Sequence, residues 1–333
     1  MRSLFVILII IFFISSCSSK DDTSDNTQSD NEWLIDEKDI SGDFFLYPLA
    51  INPKFDTVDN ISLNDGQLVG VLHFGLGVIV YPYVYTFENE VINADYNGRK
   101  YAFTYCPITK SAVAFTRTQI FRASGYLYKD NLTPWDDETE SIWSQMLIKG
   151  IKGENKNRRF NTIPVLETTW GAVKSFFPNA KVFAGSSNSG KLISYKNNRN
   201  PPDEDDNSNS DVEKPNPDEH VFGIIDDFDN VHIFRHTNFR NKIVVKTISG
   251  QEYIIIGNQS NRFFNAFKVG NANDYKVLDN ELPFILQSKS GIKYNILGVG
   301  TNGSVLEKPK YAYVAAWWAW EDFYSNFQFV DNE

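Results

Sequence analysis

The chain is poor in the residues on which thiol and metal chemistry is built, with two cysteines and four histidines in 333 positions. Two cysteines cannot staple a disulfide scaffold. Positive charge is also short: 32 Lys and Arg stand against 42 Asp and Glu, for a net charge of −10. That balance argues against a sequence-independent nucleic-acid binder, which needs clustered cations to displace counterions from phosphate. The N-terminal apolar run, Leu4 to Ile14, is eleven residues, and at about 1.5 Å per residue it covers about half of a roughly 30 Å hydrocarbon core. There is no Walker lysine motif, no Gly-x-Ser-x-Gly elbow, and no strand–GxGxxG–helix context around Gly70 to Gly77. Aromatic side chains, by contrast, are plentiful. Phe 26, Tyr 16 and Trp 7 make 15% of the chain, a globular composition for most of its length.

Met1-Arg2-Ser3 is a short positive n-region, and the apolar run after it ends in Ile14-Ser15-Ser16-Cys17. This is the h-region of a signal peptide rather than a membrane span. The Ile-Ser-Ser-Cys ending resembles the lipobox of bacterial lipoproteins, in which the cysteine is diacylated and cleavage before it makes it the N-terminus. An ordinary secretory signal cut near Ser16 is the alternative. On the first reading residues 1–16 are a signal peptide, Cys17 is the lipidation site, and the remaining 317 residues carry 31 − 42 = −11. Several acyl chains anchor stably where a single one does not. Ser18 to Asn31 has no apolar residue and cannot offset its ordering entropy, so 17–32 reads as a flexible stalk. Within it Ser19-Lys20-Asp21-Asp22 resembles the signal that sends some Gram-negative lipoproteins to the outer cell surface; a solvated acidic linker is the alternative. The expected location is the bacterial cell envelope, lipid-anchored, at the outer membrane on its periplasmic or surface side.

Past the stalk the chain repeats itself. Leu68-Val69-Gly70-Val71-Leu72 corresponds to Val221-Phe222-Gly223-Ile224-Ile225 at an offset of 153, Asn97-Gly98 to Ser249-Gly250 and Ala114-Phe115 to Ala266-Phe267 at 152, and Trp170, Val173 and Phe177 to Trp317, Trp320 and Tyr324 at 147. Short aliphatic and aromatic runs such as Val69–Leu72, Val78–Tyr81, Lys100–Tyr105, Ala112–Thr116 and Phe121–Ser124, bounded by Gly, Asn, Asp or Pro, predict strands. Asn97-Gly98 and Ser249-Gly250 predict tight hairpin turns. Trp170, Val173 and Phe177 have helical spacing, with Thr168 as the expected N-cap and Pro178 as the stop. The fold class is therefore mainly β (α+β): two tandem related units, 33–194 and 220–333, each an antiparallel sheet or small barrel closed by a C-terminal aromatic helix. Between them the acidic, Pro-rich stretch 195–219 reads as a disordered linker or loop. Its Asp203 to Asp211 series lacks the Gly of an EF-hand loop, and Lys214 stands at the twelfth position. His232 and His236 are four apart, which would suit two metal ligands on a helix, but Val231-His232-Ile233-Phe234 reads as strand and no third ligand stands nearby. No metal site and no cofactor is expected.

Chemistry-bearing residues gather in the first unit. Cys106 ends a predicted strand beside Pro107 and is the thiol left after lipidation; it is either a nucleophile or a small buried apolar group. Downstream, Gly125-Tyr126-Leu127-Tyr128 leads to Asn131, Asp136, Thr139, Trp143 and Gln145. Polar groups that bond a ligand are interleaved there with aromatics that stack on it; capped turns around a core Trp are the bland alternative. In the second unit Cys106 becomes Asn258 and Trp143-Ser144-Gln145 becomes Tyr294-Asn295-Ile296, so the first unit is the better place for a site.

These residues resemble the bacterial family known as domain of unknown function 3179. Its Tyr-Cys-Pro segment appears as Tyr105-Cys106-Pro107-Ile108-Thr109-Lys110-Ser111-Ala112, its acid-rich segment as Trp135-Asp136-Asp137-Glu138-Thr139-Glu140-Ser141, and its Trp-Ser-Gln as Trp143-Ser144-Gln145. With Asn52-Pro53-Lys54-Phe55 and the Trp317 to Tyr324 helix the likeness runs over about residues 50 to 330. It departs where the second cysteine is Thr109, the following Gly is Lys110 and the usual His-Glu pair is Asn89-Glu90, so Cys-x-x-Cys exchange or a structural zinc is unsupported, and the resemblance implies no reaction.

Two functions follow as expectations. The first is a tethered module that binds an unidentified small molecule or protein through Tyr105, Tyr128, Asn131, Asp136, Thr139, Trp143 and Gln145, with the membrane reached through lipidated Cys17. The second is an enzyme centred on Cys106, with Glu90 as acid or base. The binding module is preferred, because a catalytic thiol without a resolving partner is exposed to oxidation in an oxidising compartment.

Overall fold

The computed structural model describes residues 32–75, 77–87, 89–185, 214–239 and 243–330. The signal peptide, Cys17, almost all of the stalk and the linker up to residue 213 lie outside them. In the first half, strands Leu68–Phe74 and Gly77–Pro82 form an antiparallel hairpin. Leu166–Thr169 joins it on the Leu68–Phe74 side, and after a helix, Trp170–Phe176, Lys181–Phe183 joins in parallel on the other. Between hairpin and helix run two three-stranded meanders. Val91–Tyr96, Arg99–Cys106 and Ser111–Thr116 form one; Phe121–Tyr128, Asn131–Asp136 and Ile142–Ser144 form the other. Arg99–Cys106 is buried on both faces from Tyr101 onward, which is why it reads as a continuous apolar run rather than an alternation.

The second half lays down its elements in the same order. Strands His220–Ile225 and Val231–Phe234 pair, Ala312–Ala316 joins antiparallel, the helix Trp317–Phe323 follows, and Phe327–Phe329 joins in parallel. Its meanders are Ile243–Ile248, Gln251–Asn258 and Phe263–Val269, then Tyr275–Val277, Phe284–Ser288 and Lys293–Asn295. Both expected hairpin turns have positive φ at the two central residues, Asn97 and Gly98 at 51° and 81°, Ser249 and Gly250 at 48° and 75°. That is the mirror-image turn whose twist matches paired strands.

Both helices are short, so their orphan N-terminal N–H groups decide whether they form. Trp170 and Gly171 donate to the carbonyls of Gln67 and Asp65, and Trp317 and Trp318 to those of Glu219 and Pro217. Residues 214–219, assigned to the linker by composition, are thus partly held against the second helix. The N-cap of the first helix is Thr169, whose hydroxyl accepts from Ala172 N, and not Thr168. The strand extends one residue further than the pattern suggested, and the Thr168 hydroxyl is taken by the carbonyl of Asn261.

Besides a core within each half, with Leu72, Tyr81 and Phe103 in the first and Phe222, Phe234 and Phe264 in the second, two cores are shared between the halves. One joins Val69, Val71, Trp170 and Val173 of the first half to Ile254, Phe263, Phe267 and Leu286 of the second; another joins Ala102, Cys106, Val113 and Phe115 to Val221, Ile233, Trp317 and Trp320. The helix-bearing sheet of each half therefore packs one face on its own meanders and the other on the meanders of the partner half. Two backbone bonds cross the seam at matching places, Thr169 N to Asn261 O and Ala316 N to Thr109 O, at 3.3 and 2.9 Å. Expressed alone, residues 33–194 expose the apolar face around Val69, Val71 and Trp170 and do not unfold cooperatively. A sharp calorimetric transition from that fragment would contradict this arrangement.

Candidate ligand cleft and the buried polar groups behind it

Cys106 closes its strand at 1% exposure, and its sulfur makes a long contact, 3.8 Å, to the carbonyl of Asp130. Burial first, and then the charge of Glu90, raises the thiol pKa. Glu90 is itself buried, with a φ of 54°, and its carbonyl accepts from Tyr105 N. Tyr105 stacks on Tyr83 at 4.1 Å. Burial raises both phenol pKa values, and the nearby Glu167 carboxylate adds to the effect. Glu167 contacts His220 Nδ1 of the second half at 2.8 Å. Among the described residues the Tyr83 hydroxyl, Glu167 Oε2 and both Asn89 amide atoms have no hydrogen-bond partner.

The next residues form a closed set. Gln145 Oε1 accepts from Asn131 Nδ2 at 2.8 Å and from Ser111 Oγ at 2.7 Å, while Gln145 Nε2 donates to Thr104 Oγ1 at 2.8 Å. Asn131 Nδ2 also donates to Thr109 Oγ1, and Asn131 Oδ1 accepts from Met146 N. All five side chains are fully buried. Thr109, standing where the resembled family carries its second cysteine, is part of this set. Asn131 and Gln145 are brought together as expected of a site, but their polar atoms are spent on one another and on the backbone.

A second set surrounds Asp136. Its Oδ1 accepts from the backbone N–H and hydroxyl of Thr139, both at 2.7 Å, and its Oδ2 from Trp143 Nε1 at 2.9 Å. Ser141 and Asn155 complete it. The consequence is geometric, because Asp136 fixes the Trp143 indole. Trp143 stacks on Phe160 at 4.3 Å and Phe160 on Phe115 at 3.7 Å, with interplanar angles of 14° and 10°. Tyr128 lies apart from both sets, edge-on against Phe323 of the second helix at 5.1 Å.

The edges of Phe121, Trp143 and Phe160 line an open cleft of about 280 Å³ in the first half, together with Thr116, Arg117, Thr118, Gln119, Arg159 and Asn161. Arg117 is aimed by backbone carbonyls, Nε to Tyr101 O at 3.0 Å and Nη1 to Gln119 O at 3.1 Å. Arg159 lies over the Tyr311 ring at 4.6 Å and pairs through Nη2 with Asp229 of the second half. Its Nη1 has no hydrogen-bond partner among the described residues. Two arginines lining one cleft with aromatic residues suit an anion with an apolar body, since a guanidinium offers a planar fork of donors to carboxylate or phosphate.

Of the cleft, the sequence reading contained Trp143 and missed Arg117, Gln119, Arg159 and Asn161, because net charge averages over the chain and hides local cations. It also missed Tyr83, Glu167 and His220. A signal was present for some of them: at offsets of 152 and 147 Arg117 falls opposite Val269 and Glu167 opposite Val314. Polar residues at positions where the partner half is apolar mark differences that packing alone does not require.

The two buried sets predict stability effects. Replacing Asp136 by Ala, or Gln145 by Leu, strands several buried donors and acceptors and lowers unfolding free energy by roughly 2–4 kcal/mol. Exposed Glu140→Ala changes it by less than about 0.5 kcal/mol. Urea unfolding measures all three, and losses below about 1 kcal/mol in both buried variants would show that these sets carry little stability.

Among known proteins, no curated protein and no solved structure matches the chain. The model of one family, described as a protein of unknown function (DUF3179), matches residues 47–327, most of the chain and all of the elements that build the cleft. The chain is a member of the DUF3179 family.

Proposed function

We propose that this protein is a lipid-tethered binding module of the bacterial envelope that takes a small anionic ligand in the Arg117–Arg159 cleft of its first half. The lipobox-like Ile14-Ser15-Ser16-Cys17 and the polar stalk support the tether and the extracytoplasmic location. The common order of elements, together with the matched crossing bonds, supports reading the halves as two copies of one unit of which the first kept the site. The observation that carries the ligand class is the presence of two arginines, Arg117 and Arg159, in the lining of one open cleft with Phe121, Trp143 and Phe160.

A reaction centred on Cys106 gains little from this geometry. The thiol is fully buried and its pKa is raised, the reverse of what makes a thiolate nucleophile. In the native chain Cys106 stays unmodified by an aromatic disulfide reagent and reacts once denatured; stoichiometric labelling of the native protein would restore the enzyme reading, with Glu90 as its acid or base.

The ligand class is tested by calorimetric titration with benzoate, inorganic phosphate and the neutral control benzamide. Saturable binding is expected for benzoate or phosphate and not for benzamide. Arg159→Gln and Arg117→Gln each weaken it by roughly 1.5–3 kcal/mol, the worth of a charge-assisted hydrogen bond. Equal affinity in both variants, or equal binding of benzamide, refutes the assignment.

A further inference from the structure

The described chain begins beside an aromatic surface on the opposite strand of the second meander. Phe44 and Phe45 are 48% and 65% exposed. The Phe44 ring lies 5.7 Å from Tyr126 and 6.5 Å from Trp135, and Tyr126 lies 5.9 Å from Trp33. Two cations border these rings, Lys152 at 4.5 Å over Trp33 and Arg122 at 5.8 Å over Trp135. Scattered exposed apolar residues are ordinary, but a contiguous aromatic group calls for an occupant.

The surface is built, not incidental. Segment 42–47 is held along strand Phe121–Tyr128 by Phe45 N to Ser124 O at 2.8 Å and Tyr47 N to Ala123 O at 3.1 Å. The approach is close enough that both chains need glycine. A Cβ at Gly125 would stand 2.5 Å from Asp43 O, and one at Gly42 would stand 2.6 Å from Gly125 O, and both residues have φ near +80°. Gly125, one of the residues that carry the family resemblance, therefore fixes Phe44 and Phe45 in place.

We propose that this face rests in the membrane–water interface of the bilayer that holds the lipid anchor, a proposal that rests on the reading of Cys17 as lipidated. The argument is the place where the tether meets the fold. Trp33, a member of the aromatic group, is sixteen residues after Cys17, a distance of at most about 55 Å when fully extended. The anchor thus keeps this corner of the domain near the lipid at high effective concentration. Trp and Tyr favour the headgroup level, Phe adds apolar contact below it, and Lys and Arg stems reach back to phosphate. Glu32, Asp36, Asp39 and Asp43 border the same segment, so the occupant is a zwitterionic surface drawn by aromatic contact rather than an anionic one drawn by charge.

The test uses the full chain, recovered from bacterial membranes and reconstituted in phosphatidylcholine vesicles with brominated acyl chains, which quench tryptophan at short range. Trp143, Trp170, Trp317, Trp318 and Trp320 are buried while Trp33 and Trp135 are half-buried, so quenching reports this face. Emission is expected to fall relative to unbrominated vesicles, and the double variant Phe44→Ser, Phe45→Ser is expected to lose about half or more of that quenching with unchanged circular dichroism. Unquenched emission from the acylated chain, or equal quenching in the double variant, overturns the docking face alone. Intact mass measurement separates the two readings: a chain without acyl mass on Cys17 overturns the anchor and the docking face with it.

Discussion

The structure depends on reciprocal burial across one seam. Each helix-bearing sheet covers one face with the meanders of its own half and buries the other against the partner half, where Trp170 and Val173 share a core with Ile254, Phe263 and Phe267, and Trp317 and Trp320 share one with Ala102, Val113 and Phe115. Because hydrophobic stabilisation scales with area removed from water, this arrangement makes each half the solvent shield of the other. The crossing bonds from Thr169 N to Asn261 O and from Ala316 N to Thr109 O set the register of that contact. Each also satisfies a backbone group just before a helix that would otherwise be buried without a partner.

The first half differs from the second in its buried polar groups. The Gln145 and Asp136 sets place many polar atoms in a dry interior, where full mutual satisfaction rigidifies and partial satisfaction is costly. Their effect is felt at the surface. Asp136 orients Trp143, Trp143 lies flat on Phe160, and these rings line the same cleft as Arg117 and Arg159. In the second half Tyr294, Asn295 and Ile296 occupy the corresponding stretch, and Asn295 turns its side chain to the local backbone of Leu297 and Val299 instead.

Much of the fold was legible because its signals are local. Alternating and continuous apolar runs placed the strands to within a few residues, Asn97-Gly98 and Ser249-Gly250 specified their turns, and Trp170, Val173 and Phe177 specified the helix. The cap was misjudged by one residue, since Thr168 and Thr169 are equally good acceptors and the difference lies in a carbonyl, Asn261, from the other half. The polar motif residues were legible as a group but not in their roles. Gln145 meets Thr104 across 41 residues and Ser111 across 34, separations over which no periodicity carries information.

The sequence by itself determined the β-rich class, the order of strands and helices, and the family, because strand, turn and helix preferences and motif order are written residue by residue. The tertiary structure alone decided that Cys106 is sealed in a core shared by both halves. It decided too that Asn131, Asp136 and Gln145 are buried and that Arg117, Trp143 and Arg159 line one cleft. The physical reason is that burial and hydrogen-bond pairing are properties of neighbours in space, and here those neighbours come from segments far apart in the chain and from opposite sides of the seam.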